Sequence, residues 1–124
     1  MTATRLLLFA AGLIGAAGIG LAAMATHAYA GTSLPVAATM LSLHAPAIIA
    51  VAAARKASLI HDLCGRVAAW GLVSGVVMFS GDIAMRTFSG MPLFPMAAPA
   101  GGTLLIAAWI LVAVAGLIGG RHGS

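Results

Sequence analysis

The sequence predicts an all-α integral membrane protein, a bundle of four membrane-crossing helices. Three observations carry that expectation. First, 62% of the 124 residues are hydrophobic and only 6% are charged, whereas a soluble domain is roughly half apolar and about a quarter charged. So few charges cannot dress so apolar a surface, and the solvent must be lipid. Second, the apolar residues fall into four runs, each near the roughly 20 residues a helical span needs. Third, the alternating strands of a barrel are absent, and a segment in hydrocarbon must otherwise satisfy its own backbone as a helix. One transmembrane domain, residues 1–124, accounts for the whole length.

The first helix is expected at about 4–29. Arg5, the apolar stretch Leu6 to Leu21 and the Ala28-Tyr29-Ala30 site imitate a signal peptide. The apolar run exceeds the roughly 7–15 residues of such a region, and it contains Gly12, Gly15, Gly18 and Gly20. A retained first helix is the better reading. The second helix is expected at about 35–54, with Pro46 freeing the Ser42 carbonyl one turn earlier. The third is expected at about 66–89 and the fourth at about 102–119. Pro92, Pro95 and Pro99 should keep the stretch between them from forming regular helix.

Four spans put both termini and the loop between helices two and three on one side. That side holds Arg5, Arg55, Lys56, Arg66 and Arg121, and the other only Arg86. The positive-inside rule therefore places both termini in the cytoplasm. The basic residues sit near segment ends, a pattern of membrane orientation and not of nucleic-acid binding. Arg55, Lys56 and Arg66 could greet anionic headgroups.

Small residues recur every four positions at Gly12, Ala16 and Gly20, at Gly71 and Gly75, and at Gly116 and Gly120. Such stripes let helices approach closely in lipid, although glycine and alanine are abundant enough here to form stripes by chance. The polar residues at depth are fewer. Asp82 and Arg86 are one helical turn apart and can pair. A carboxylate at the centre of a span costs about 2.5–3.5 kcal/mol on insertion scales, so a partner is required. His27 falls at the same end of the bundle and could join them. This group reads either as a proton-handling or anion-binding cluster or, more economically, as a charge pair fixing the end of helix three.

His44 lies near the middle of helix two, two positions before Pro46. A neutral imidazole there could bond Ser74 or Ser80 across the bundle. A haem or metal ligand is the sharper alternative, but no second histidine lies at matching depth. His61 and Asp62 resemble fragments of a catalytic pair, yet adjacent residues on a helix face apart and no nucleophile accompanies them. Cys64 is the only cysteine and reads as a small residue near a helix start. Trp70 suits an interfacial anchor. Trp109 lies deeper, where its indole N–H needs a partner. With no phosphate loop, paired carboxylates or metal-ligand spacing, neither an enzyme nor a cofactor is expected.

Several segments resemble domain of unknown function 423. The run Gly15-Ala16-Ala17-Gly18-Ile19 through Ala25-Thr26-His27-Ala28 is similar to its glycine-rich motif ending in histidine. Leu43-His44-Ala45 is similar to its His-Ala element, and Phe79-Ser80-Gly81-Asp82 to its Phe-Ser-Gly motif. Ala98-Pro99-Ala100-Gly101-Gly102 and Trp109 are similar to its Pro-x-Gly-Gly and tryptophan end. Met24 replaces a bulky aromatic common in that family, and Met40-Leu41 stand where tyrosine is common before the second histidine. The resemblance implies a small four-span protein of the bacterial inner membrane, with no established activity. It also makes His27, His44 and Asp82 motif positions, which favours a shared polar network.

The expected role is a non-catalytic accessory, assembly or lipid-interacting component, its partners being membrane lipids, a larger membrane complex or copies of itself. The rival is a small transporter or ligand-binding protein using His27, His44, Ser80, Asp82 and Arg86. A transporter needs a hydrated cavity reaching those groups. An accessory component needs a dry core and an exposed small-residue stripe.

Overall fold

The computed structural model describes residues 2–120. It holds four helices: α1 (Ala3–His27), α2 (Leu34–Lys56), α3 (Asp62–Ser89) and α4 (Ala97–Ile118). Each is long and apolar enough to cross a bilayer, and no strand occurs among the described residues. The chain is an all-helical multi-pass membrane protein.

Helices α1 and α2 fall within two residues of their expected limits, but α3 starts four residues early and α4 five. The first turn of a helix has amides with no helical partner, so it tolerates residues that the interior excludes. In α3 the His61 ring caps that turn, its Nδ1 accepting from the Cys64 amide at 3.2 Å. Asp62 follows in the first turn, where the helix dipole favours a carboxylate. In α4 the third residue is Pro99, which was expected to block helix. Its missing N–H would have been unbonded in any case, so the proline begins the helix without interrupting it.

Successive helices run antiparallel. At one end Arg55 of α2 reaches Thr4 of α1 and Asp62 of α3, and the His61 amide donates to the Ala115 carbonyl of α4 at 3.0 Å. This basic end carries Arg5, Arg55, Lys56 and Arg66. Arg121, which enters the charge count, lies outside the described residues. At the opposite end, Tyr29 and Phe88 stack edge to face with centroids 5.2 Å apart.

The helices pack in chain order: α1 on α2, α2 on α3, α3 on α4, with α1 touching α3 lightly. Helices α1 and α4 share no packing seam, and α2 meets α4 through the His44 and Trp109 side chains. The central pair is the more buried and the flanking pair the more apolar, as lipid on the outer flanks requires. The core runs along the middle, with Leu7, Ile48, Leu72 and Val76 inaccessible.

Glycine sets the closest approach. A Cβ on Gly101 would lie 2.6 Å from the Phe79 backbone nitrogen and 2.8 Å from the Gly75 carbonyl oxygen. Helices α3 and α4 thus meet backbone to backbone, with Gly71 against Ala108 and Gly75 against Leu105. Gly120 abuts the Ser58 backbone, where no Cβ would fit. The α1 stripe differs: Gly12, Ala16 and Gly20 are exposed, and neither glycine has a neighbour within 4 Å of where a Cβ would stand. Gly116 is likewise free. Within the chain, α1 packs through Leu7, Ala11, Ile14 and Gly18, with Gly18 against the Ser42 hydroxyl. Small residues occupy several registers of α1, and complementarity to α2 selects one of them.

Candidate functional site

Three polar clusters punctuate the bundle, one at each end and one at mid-depth. Asp82 organises the end opposite the basic residues. Its side chain is 1% exposed and that of Arg86 is 55% exposed. Arg86 Nε donates to Asp82 Oδ2 at 3.0 Å, and the Leu93 amide donates to Oδ1 at 2.8 Å. Gly90, with φ at 75°, ends α3 and turns the chain so that Leu93 can reach back. A left-handed residue at that position suits glycine. The carboxylate therefore ties α3 to the loop that leads into α4.

His27 stays outside this group. It is exposed at the end of α1 and forms no hydrogen bond with Asp82 or Arg86. The proposed meeting of all three does not occur, because Asp82 faces the α3–α4 loop. The ends of α1 and α3 are joined instead by the Tyr29–Phe88 stack.

His44, 2% exposed, forms the mid-depth cluster. Its Nδ1 meets the Met40 carbonyl at 2.8 Å, and its Nε2 accepts from Trp109 Nε1 at 3.1 Å. The indole can only donate, so Nδ1 carries the ring proton and donates to Met40. Ser74 is exposed and Ser80 is committed elsewhere, its hydroxyl donating to the Ala37 carbonyl at 3.0 Å. Neither serine partners His44, contrary to the sequence-based expectation. Both imidazole nitrogens are occupied by the protein, so ligation at Nε2 would require breaking the tryptophan bond. No cluster of three or more metal-ligating side chains occurs among the described residues.

The basic end is organised around Arg55. Its Nε donates to Asp62 Oδ1 at 2.9 Å and its Nη1 to Thr4 Oγ1 at 3.0 Å. Asp62 and His61 thus serve different structural partners. Trp70 is half-buried and packs against the core.

Among the described residues, every buried side-chain nitrogen and oxygen has a hydrogen-bond partner. A lateral groove of about 510 Å³ runs between α1, α2 and α3, lined by apolar side chains such as Leu13, Leu21, Met24 and Val77, with Ser80 at its floor. It opens toward lipid and does not reach His44 or Asp82.

Sequence reasoning missed the Leu93 amide and the identity of the Trp109 partner. The second had a usable signal. Helices α2 and α4 run in the same direction, and His44 and Trp109 lie ten and twelve residues from their starts. At 1.5 Å per residue the two rings share one depth.

A family model described as a protein of unknown function (DUF423) matches residues 14–102. The match takes in His27, His44, Ser80, Asp82 and Arg86, and stops short of Trp109. No solved structure matches the chain.

Proposed function

The chain belongs to this family of proteins of unknown function, and from its own geometry we propose that it is a non-catalytic accessory or assembly component. Its setting is the bacterial inner membrane, with both termini in the cytoplasm, and its partner is a larger membrane complex or another copy of itself. The orientation rests on the basic end, which gathers Arg5, Arg55, Lys56 and Arg66 against Arg86 at the other.

One contrast carries the reading. Among the described residues the buried polar groups are already satisfied within the chain, while Gly12, Ala16 and Gly20 are exposed on α1, Gly20 at the wall of the lateral groove. Backbone made accessible in this way suits helix association in lipid, where close packing takes the place of a hydrophobic driving force. The rival transport reading needs a wet route to His27, His44 and Asp82. Those residues stand apart, and two of them are fully engaged.

The test is Ala16→Phe, compared with the unaltered protein in mild detergent. The expected result is a particle larger than one chain for the native protein and a smaller one for the variant. The melting temperature should not change, because Ala16 is exposed and takes no part in the core. A native particle of one chain, or a variant of unchanged size, would refute the proposal.

A further inference from the structure

The basic end contains a recess of about 590 Å³, lined by Arg55, Lys56, Ser58, Ile60, His61 and Asp62, with the end of α4 on its far wall. The geometry points to a binding site for a phosphate group held at headgroup level.

Volume is the first argument, since ligand sites span about 300–1,000 Å³. Charge is the second. Arg55 and Asp62 neutralise each other at 2.9 Å, which among the described residues leaves the exposed Lys56 as the cation of the wall with no ion-pair partner. Proton placement is the third. His61 Nδ1 accepts from the Cys64 amide, so the neutral ring carries its proton on Nε2, and that atom makes no hydrogen bond among the described residues. His61 and Lys56 both line the recess, which thus has a neutral N–H donor and an ammonium in its wall. Backbone strain is the fourth. Ser58 adopts a left-handed conformation, φ 62°, which is costly for a non-glycine residue and often marks a ligand site. The Ser58 and Leu59 amides, bonded to the Arg55 and Ala54 carbonyls, hold it there.

Leu59 and Ile118, 67% and 57% exposed, flank the recess. An apolar flank beside a cationic recess fits a phospholipid, whose acyl chains would run along these residues. Arg66, grouped with Arg55 and Lys56 by sequence, does not line the recess. This proposal does not depend on the α1 stripe.

The test uses the purified chain in phosphatidylcholine nanodiscs with and without phosphatidylglycerol, counting retained lipid by native mass spectrometry. Phosphatidylglycerol should be retained in preference. Lys56→Gln should cut that retention about tenfold, as losing a charge-assisted bond does, and Arg66→Gln should leave it unchanged. His61→Ser preserves the helix cap but draws the side chain back from the recess and removes the Nε2 donor, and it should also weaken retention. Inorganic phosphate added in neutral detergent separates the sources. A Lys56-dependent rise in melting temperature identifies free phosphate as a ligand, and a response confined to phosphatidylglycerol identifies the headgroup. Equal losses for Lys56→Gln and Arg66→Gln, about fivefold each as diffuse surface charge would give, would overturn the site. So would indifference to both phosphatidylglycerol and phosphate.

Discussion

The two ends of the bundle each rest on one ion pair, and the pairs are built in opposite senses. In Asp82–Arg86 the carboxylate side chain is 1% exposed and the guanidinium side chain 55%. In Arg55–Asp62 the guanidinium side chain is 14% exposed and the carboxylate 71%. In both, the buried member makes the additional bond that joins separate elements. Asp82 takes the Leu93 amide, and Arg55 takes the Thr4 hydroxyl. The exposed member is a counter-charge with access to water. The lesson is that importance follows burial and connectivity, not the sign of the charge.

The largest expected effect breaks the first of these hubs. Asp82→Ala removes the acceptor for Arg86 and Leu93 together, and the melting temperature in detergent should fall by roughly 10 °C. Asp82→Asn, which can still accept from Leu93, should fall less. A melting temperature unchanged in Asp82→Ala would end the claim that the carboxylate holds the α3–α4 connection.

Mid-depth comes next, where no ion pair exists and the hub is a neutral one. Trp109→Phe orphans the His44 Nε2 acceptor and should cost about 2 kcal/mol. His44→Leu, which sequence reasoning would tolerate if the residue only packs, should also destabilise by orphaning the indole N–H. The double variant Trp109→Phe with His44→Leu should lose less than the sum of the two. Strict additivity would mean that the bond contributes nothing.

The smallest effects test the asymmetry itself. Arg55→Gln should cost about 1 kcal/mol, and Asp62→Asn about 0.5 kcal/mol or less, as exposed carboxylates usually do. Chemical denaturation in detergent reads both. A greater loss for Asp62→Asn would reverse the comparison.

How much of this could be read from the sequence depends on range. The four spans follow from composition, and the Asp82–Arg86 contact follows from a spacing of four on a helix. Both are local. The early starts of α3 and α4 were hidden because first-turn residues such as Asp62 and Pro99 look like loop. The Leu93 amide bond depends on a turn at Gly90 that no periodicity announces. His44 and Trp109 are 65 residues apart, and only the parallel course of α2 and α4 makes them neighbours. The α1 stripe shows the reverse failure. Gly12, Ala16 and Gly20 form a clear pattern, but Gly18 is what α2 touches, since a helix rich in small residues offers several faces and only the partner chooses.

The order in which the helices pack along the chain has a consequence for biogenesis. The first and last helices share no packing seam, so the apolar seam of α1 and α2 can form while the remainder is still being made. Helix α3 then adds to a finished surface, and α4 closes on α3. Synthesis and packing can proceed largely in the same direction, and the Ala37 carbonyl and His44 Nε2 are groups of α2 that wait for α3 and α4.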